Sequence, residues 1–205
     1  MSLPTVVLSL IVLAQFDASS SSPINEFESL RGCHQFNSHS GYYAVHPYFN
    51  TSTFKNIQTD GNGVTRLRIG VLGDKHAAIR FTSVPTGYTA SMTEIALAYY
   101  DNNRTDIRKY SRSLLSPGAA WTNLGEFHVK NVMNIYKPVM LTVAIRPNGL
   151  VTVTRDGENV PFLLFNDPSF SFKFIGFCKW DVPVVYFYDC PLLQERKCAC
   201  DDCKF

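Results

Sequence analysis

The Asn148-Gly149 pair most constrains what this 205-residue chain can fold into, because β-branched apolar runs flank it on both sides. The runs cover residues 139–145 and 150–155. Asn and Gly tolerate the positive φ angles of tight turns, so such a pair between two such runs is a strong hairpin signal. A second turn pair, Asp156-Gly157, precedes the next apolar run. The sequence therefore predicts antiparallel strands on both sides of each turn.

Alternating apolar and polar residues recur through the rest of the chain. Residues 64–71, 76–84 and 105–112 alternate with period two, as strands do. Segment 92–100 alternates as well, although its Ala and Glu residues would tolerate a helix, and segment 126–136 is ambiguous. Strands spaced by about 8–12 residues are typical of sandwiches and barrels. We therefore predict an all-β fold, an antiparallel, jelly-roll-like β-sandwich stapled by disulfides.

The N-terminal residues have the pattern of a signal peptide. An apolar run covers residues 5–13, and small residues suited to cleavage follow it. The run is much shorter than the roughly 20 residues of a membrane-spanning helix; a buried N-terminal strand is the alternative. We expect a signal peptide at 1–18, a flexible lead-in at 19–30, the sandwich domain at 31–192 and a Cys-rich tail at 193–205. The protein is then secreted and extracellular.

Six cysteines support this location, because an even number in a secreted chain is typical of disulfides. We expect Cys178 to pair with Cys190, since their runs can form neighbouring strands around the turn at 181–183, and Cys33 to pair with a tail cysteine. A zinc site in the tail is the alternative, but no His lies nearby as a fourth ligand. The predicted disulfide cysteines are Cys33, Cys178, Cys190, Cys198, Cys200 and Cys203.

Two Asn-x-Ser/Thr sequons begin at Asn50 and Asn103. Each is an acceptor motif for N-linked glycans in a secreted protein, which predicts a surface loop at each position.

Short motifs run in order from Arg66 to Cys190, and they resemble those of a known family. They are Asp74–Ile79, Glu94–Leu97, Asn103, Ile107-Arg108, Gly149–Val151, Val160–Leu163, Asp167-Pro168, Phe174–Phe177 and Trp180. This series resembles the farnesoic acid O-methyltransferase-like domain, which is found mostly in arthropod proteins. The chain departs from the family pattern with Phe165 where Trp is common, and with residues 98–100 where glycines are common. The resemblance implies an extracellular recognition role, in a defence, venom or haemolymph setting.

The family name also implies methyl transfer, which the residues themselves do not favour. A methyltransferase that uses S-adenosylmethionine usually needs a strand, a Gly-rich turn and a helix. The nearest match, residues 70–74, precedes a predicted strand rather than a helix. Hydrolase motifs such as Gly-x-Ser-x-Gly and His-Glu-x-x-His are absent from the sequence. We therefore expect no enzyme activity, no catalytic residue, no metal and no cofactor.

Binding is the remaining function class. Aromatic rings stack on sugars or apolar ligands, and neighbouring polar groups add directional hydrogen bonds. The alternatives are that the aromatic residues pack in the core, with Tyr99 pointing inward by period two, and that Arg108 belongs to a solvated basic strip. The candidate ligand-binding residues are Tyr42, Tyr43, Tyr99, Tyr100, Asp101, Asn102, Arg108 and Trp180.

These observations predict a secreted, non-catalytic protein that binds a glycan, a lipid or a protein partner. The net charge of +2 is too small to indicate nucleic acid. The alternative, which rests on the family name, is a farnesoic acid O-methyltransferase or a farnesoid-lipid carrier in juvenile-hormone-type metabolism.

Overall fold

The computed structural model describes residues 25, 27–87, 91–111, 113 and 121–193. The predicted signal peptide and the cysteines Cys198, Cys200 and Cys203 lie outside the described residues. Within the described ranges, no helix is both long enough and apolar enough to span a membrane.

The described residues form thirteen strands in two antiparallel sheets, which confirms the predicted β-sandwich. The strands are β1 (His34–Ser38), β2 (Tyr48–Asn50), β3 (Gln58–Thr59), β4 (Thr65–Gly73), β5 (Ala77–Thr82), β6 (Ser91–Ala98), β7 (Arg104–Ser111), β8 (Trp121–Phe127), β9 (Val139–Ile145), β10 (Leu150–Arg155), β11 (Leu163–Asn166), β12 (Phe174–Lys179) and β13 (Val184–Cys190). Short 3-10 helices cover Glu28–Leu30 and Thr51–Thr53, and a four-residue helical turn covers Tyr99–Asn102. The first sheet has the order β1-β13-β4-β9-β10-β11, with β3 paired to β4, and the second has the order β2-β12-β5-β6-β7-β8.

The hydrophobic core lies between the two sheets. Side chains of a strand alternate between its two faces, so the odd-numbered residues Ile79, Ile95 and Ile107 of β5, β6 and β7 share one face. They are buried in a single cluster with residues of the first sheet such as Leu141 and Val143. The even-numbered side chains of the same three strands therefore point away from the core. We call this second surface of the second sheet the outer face.

Both predicted hairpins are confirmed. Strand β9 pairs with β10, and β10 pairs with β11, in antiparallel register. Gly149 has φ +83°, and the Asn148 Oδ1 atom accepts a hydrogen bond of 3.1 Å from the Leu150 backbone N–H. Gly157 has φ +82° in the second turn. Val143 and Ile145 both face the core, because residues two apart in a strand point to the same side.

The strand predicted at 92–100 ends earlier than its alternation indicates. Strand β6 ends at Ala98, where φ is +61°, and the next residues turn through further positive φ angles. The alternating pattern predicts that the Tyr99 side chain points into the core. This prediction is wrong, because the left-handed turn interrupts the alternation. The Tyr99 ring lies instead beside Trp180 and Arg108. The ambiguous segment 126–136 contributes only the end of β8.

The predicted bond between Cys178 and Cys190 is wrong. Cys190 is bonded to Cys33, with their Cα atoms 4.2 Å apart, and Cys178 is buried in β12 outside this bond. The reason is topological. Strands β12 and β13 follow each other in sequence but belong to different sheets, whereas β1 pairs with β13 and brings Cys33 to the end of that strand. The expected bond from Cys33 to the tail is corrected by the same observation.

Candidate functional site

A row of alternating charges crosses the centre of the outer face. Arg80 on β5 lies directly opposite Glu94 on β6, and Glu94 lies directly opposite Arg108 on β7. Arg80 and Glu94 are fully buried, and the Arg80 Nε atom donates a hydrogen bond of 2.8 Å to Glu94 Oε2. Opposite charges in directly opposed cross-strand positions attract each other. Glu94 therefore compensates the charge of Arg80, and Arg108 has Asp106 as its ion-pair partner.

Tyr42, from the segment before β2, covers this row. Its hydroxyl donates to Glu94 Oε1 and lies 2.9 Å from the Tyr110 hydroxyl oxygen. The Arg80 guanidinium lies 4.6 Å from the centre of the Tyr42 ring, and its Nη2 donates a hydrogen bond of 3.0 Å to the Tyr42 carbonyl oxygen. Buried charges need such partners because burial removes their hydration. Tyr42 thus shields the pair of Arg80 and Glu94 from water, and the outward side of the Tyr42 ring stays open to contact with other rings.

Exposed aromatic rings stand beside Tyr42. The Trp180 ring lies 4.6 Å from the Tyr42 ring, and the Tyr43 ring lies 5.1 Å from Tyr42 and 5.5 Å from Trp180, centre to centre. Trp180 is 41% exposed and Tyr43 is 50% exposed. Large aromatic side chains this open to solvent and in mutual contact provide a surface on which a ligand can stack.

Arg108, at the β7 end of the row, contacts a second group of aromatic rings. Its guanidinium carbon lies 4.7 Å from the centre of the Tyr99 ring and 5.1 Å from that of Trp121. Its Nη2 atom donates a hydrogen bond of 2.5 Å to Asp106. Burial disfavours the charged guanidinium, but the hydrogen bonds with Asp106 and Tyr110 outweigh this and raise the pKa of Arg108. Arg108 therefore stays positively charged between two aromatic faces.

Three donors in this region have no hydrogen-bond partner among the described residues. They are the Arg80 Nη1 atom, the Tyr99 hydroxyl and the Arg108 Nε atom, all of them buried. Burial raises the pKa of Tyr99, so its hydroxyl keeps its proton and can donate. Buried donors normally have an acceptor. These three atoms are closed to solvent, so the acceptor that fits them is an ordered buried water rather than a ligand atom in direct contact.

The structure brings five of the eight predicted site residues into one cluster, together with four further residues. The five are Tyr42, Tyr43, Tyr99, Arg108 and Trp180. The period-two pattern places Arg80, Glu94 and Tyr110 on the face of Arg108, but only the register shows that they are adjacent. We call the nine residues the outer-face cluster: Tyr42, Tyr43, Arg80, Glu94, Tyr99, Arg108, Tyr110, Trp121 and Trp180.

The other three predicted residues lie outside this cluster. Tyr100 is exposed and stacks with the Arg104 guanidinium at 3.9 Å, and Asp101 forms an ion pair of 2.9 Å with Lys75. Asn102 has a structural role, because both polar atoms of its side-chain amide form hydrogen bonds with the Met133 backbone. Its Nδ2 donates a hydrogen bond of 2.8 Å to the Met133 carbonyl oxygen, and its Oδ1 accepts one of 3.0 Å from the Met133 N–H.

A separate cleft of about 540 Å³ lies where β2, β3, β4 and β12 approach one another. Its lining includes Asn50, Thr51, Thr65, Phe172 and Phe174, none of which belongs to the outer-face cluster. No cluster of three or more His, Cys, Asp or Glu residues that could hold a metal occurs in the described part of the chain.

Comparison with known proteins identifies one family. The family model described as farnesoic acid O-methyl transferase matches residues 42–192. No curated protein matches the chain.

Solved structures with a similar strand arrangement include the carbohydrate binding module CBM66 from Bacillus subtilis, with 13% identity and a TM-score of 0.44 over 73% of this chain and 94% of that one. Another is the Bacillus licheniformis beta-glucanase, with 11% identity and a TM-score of 0.35 over 78% of this chain and 90% of that one. A third is the Emp46p carbohydrate recognition domain, with 11% identity and a TM-score of 0.35 over 80% of this chain and 84% of that one. Similarities at these TM-scores carry no argument about function.

Proposed function

The chain belongs to the farnesoic acid O-methyl transferase family, and we propose that it acts as a non-catalytic binding module that holds a neutral glycan on its outer-face cluster. One observation carries the proposal. The exposed rings of Tyr43 and Trp180 contact Tyr42, which itself rests on the buried row of Arg80 and Glu94. Exposed rings are thereby fixed in place beside directional polar groups.

The chemistry of a sugar matches this arrangement. The C–H face of a pyranose ring packs on an indole or phenol ring, and its hydroxyl oxygens accept hydrogen bonds. Trp180 offers an exposed ring face. The buried Tyr99 hydroxyl and Arg108 Nε atom have no partner among the described residues and offer donors that a bridging water can link to a ligand. A binding site of mostly aromatic surface with a few placed polar groups is typical of small-ligand recognition.

The charges favour a neutral ligand over an anionic one. Arg80 is paired with Glu94, and Arg108 is paired with Asp106. The positive charge of each guanidinium is therefore largely compensated before a ligand arrives, and little field remains to attract a carboxylate or a phosphate.

The geometry offers no support for methyl transfer. The glycine-containing segment Gly70–Gly73 lies within β4, and the chain continues after a short turn into β5 rather than into a helix. The helix N-terminus that commonly binds the polar end of a cofactor is therefore not formed at this position.

We also propose that the protein is secreted. The bond between Cys33 and Cys190 supports this, because disulfides persist mainly in oxidising compartments. The defence, venom or haemolymph setting remains a prediction from the family resemblance.

Tryptophan fluorescence provides a direct test, because the only two tryptophans, Trp121 and Trp180, both belong to the outer-face cluster. A glycan array on the full chain selects a ligand, and titration with that ligand should change the emission. S-adenosylmethionine and farnesoic acid should each leave it unchanged. Binding of both compounds with methylation of farnesoic acid would establish the enzyme instead, and binding of farnesoic acid alone would indicate a lipid carrier.

A further inference from the structure

The two N-glycosylation sequons differ in how the fold holds their asparagine side chains. Asn50 ends β2, and its Oδ1 atom accepts a hydrogen bond of 3.0 Å from the Ser52 N–H at the start of the following 3-10 helix. This fixes the orientation of the amide plane. The Nδ2 atom, to which a glycan would be attached, makes no hydrogen bond to another described residue and belongs to an exposed side chain.

The surroundings of Asn50 are suited to a sugar. Phe174 on β12 lies directly opposite Asn50 in the ladder, so both side chains project from the same face. Both residues line the cleft of about 540 Å³, together with Phe172 and Ile57. This volume falls in the range of about 300–1,000 Å³ that is typical of small-molecule sites. A sugar linked to Asn50 can therefore pack its C–H face on Phe174.

The amide of Asn103 is used within the fold. Its Nδ2 atom donates hydrogen bonds of 3.1 Å to the carbonyl oxygens of both Tyr100 and Asp101. These bonds close a turn in which Tyr100, Asp101 and Asn102 all have positive φ. A sugar on Nδ2 would replace one of the two donated protons and so remove a bond that holds a strained backbone.

We propose that Asn50 is the N-glycan acceptor of this protein, that the first sugar lies in the cleft beside Phe174, and that Asn103 is not modified. The Asn50 amide nitrogen forms a bond to the anomeric carbon of the donor's first N-acetylglucosamine. The nitrogen loses one proton and the lipid-linked diphosphate leaves. The donor is the lipid diphosphate-linked oligosaccharide of the secretory pathway. The proposal depends on secretion but not on the ligand of the outer-face cluster.

Two sequon variants that keep both asparagines test the acceptor. Ser52→Ala removes the first sequon and retains the backbone N–H that Asn50 accepts from. Thr105→Val removes the second sequon. Thr105 is buried, and its hydroxyl has no hydrogen-bond partner among the described residues, so the substitution should cost little stability. The full chain is secreted from eukaryotic cells, and its intact mass is measured before and after treatment with peptide N-glycosidase. We expect one glycan on the wild type and on Thr105→Val, and none on Ser52→Ala. A glycan on Asn103, or none on Asn50, would overturn the proposal.

The position of the sugar is tested by the rate at which peptide N-glycosidase releases the glycan from the folded protein. Loss of an aromatic contact worth about 0.5–1.5 kcal/mol should make release from Phe174→Ala about two- to tenfold faster. Phe174→Leu retains apolar volume as a check on folding and should give an intermediate rate, while Thr105→Val should match the wild type. Equal rates in Phe174→Ala and the wild type would exclude the sugar from the cleft.

Discussion

The buried pair of Arg80 and Glu94 limits substitution within the outer-face cluster. Both side chains are almost fully shielded from water, so the guanidinium depends on the carboxylate for its charge partner. We predict that Glu94→Gln lowers the free energy of unfolding by about 3–5 kcal/mol, because an unpaired buried charge remains. Urea denaturation measures this change.

The matched control for this substitution is the double variant Arg80→Met/Glu94→Leu, which removes both charges at once. It should lose less stability than Glu94→Gln, since replacing a buried pair with apolar groups is often close to neutral. A loss below about 1 kcal/mol for Glu94→Gln alone would contradict the buried ion pair.

Asp167 provides a test of pH dependence at the same scale. Burial raises its pKa, but hydrogen bonds from Lys109, Thr93 and Ser169 outweigh burial, and the pKa lies below its ordinary value of 3.8. A carboxyl with a lowered folded-state pKa stabilises the fold above its unfolded-state pKa, and this contribution is lost as pH falls through the folded-state value. We predict that Asp167→Asn is less stable than the wild type at pH 7, by about 1–3 kcal/mol.

The difference in unfolding free energy between the wild type and Asp167→Asn should shrink as the pH falls below about 4. Urea denaturation at a series of pH values measures it. A difference that stays constant from pH 7 to pH 2 would show that the carboxyl charge is not what stabilises this site.

At the scale of single elements, the two hairpin glycines separate backbone strain from crowding. Both have φ near +80°, but a Cβ on Gly149 would lie 2.5 Å from Pro168 Cα, whereas a Cβ on Gly157 meets nothing within 4 Å. We predict that Gly149→Ala is less stable than Gly157→Ala by about 1–3 kcal/mol, the usual effect of overpacking. Thermal denaturation of the two variants measures this difference. Equal losses of stability would mean that the region around β10 and β11 shifts to accommodate the added Cβ at little cost.

The disulfide joins the start of β1 to the end of β13 across a sequence separation of 157. Closing so long a loop restricts the unfolded chain, so Cys33→Ser/Cys190→Ser should lose about 2–5 kcal/mol of stability. Peptide mapping of the oxidised protein should recover one linked pair that contains Cys33 and Cys190. Recovery of Cys33 linked to a tail cysteine would contradict this connection.

Local signals in the sequence were enough to predict the two hairpins but not to predict which cysteines form the disulfide. Turn chemistry at Asn148-Gly149 acts over a few residues, so it predicts the pairing of β9 with β10. The pairing of β1 with β13 joins distant parts of the chain, and nothing near Cys33 specifies it. The turn at 181–183 offered a plausible hairpin, yet it carries the chain from one sheet to the other. Which neighbouring strands share a sheet depends on the packing of the whole core.

At the scale of the whole molecule, both faces of the second sheet are buried over β5 and β6. The alternation of apolar and polar residues correctly places Ile79 and Ile95 on the opposite face from Arg80 and Glu94. It predicts, however, that the face with the charged residues is exposed to solvent. The segment that contains Tyr42 covers that face, and no sequence pattern showed where the segment would lie. The sequence therefore predicted four of the six aromatic residues of the cluster and Arg108, but not the buried pair of Arg80 and Glu94.

Trp180 is the residue through which we expect the outer-face cluster to bind a neutral glycan. Isothermal titration calorimetry with a glycan selected on the array should give an affinity about two- to tenfold weaker for Trp180→Ala than for the wild type, as expected for a lost aromatic contact. Phe27→Ala is the matched control, because Phe27 is 48% exposed and lies outside the cluster. It should bind as the wild type does. Equal affinities for Trp180→Ala and the wild type would show that the glycan does not bind at Trp180.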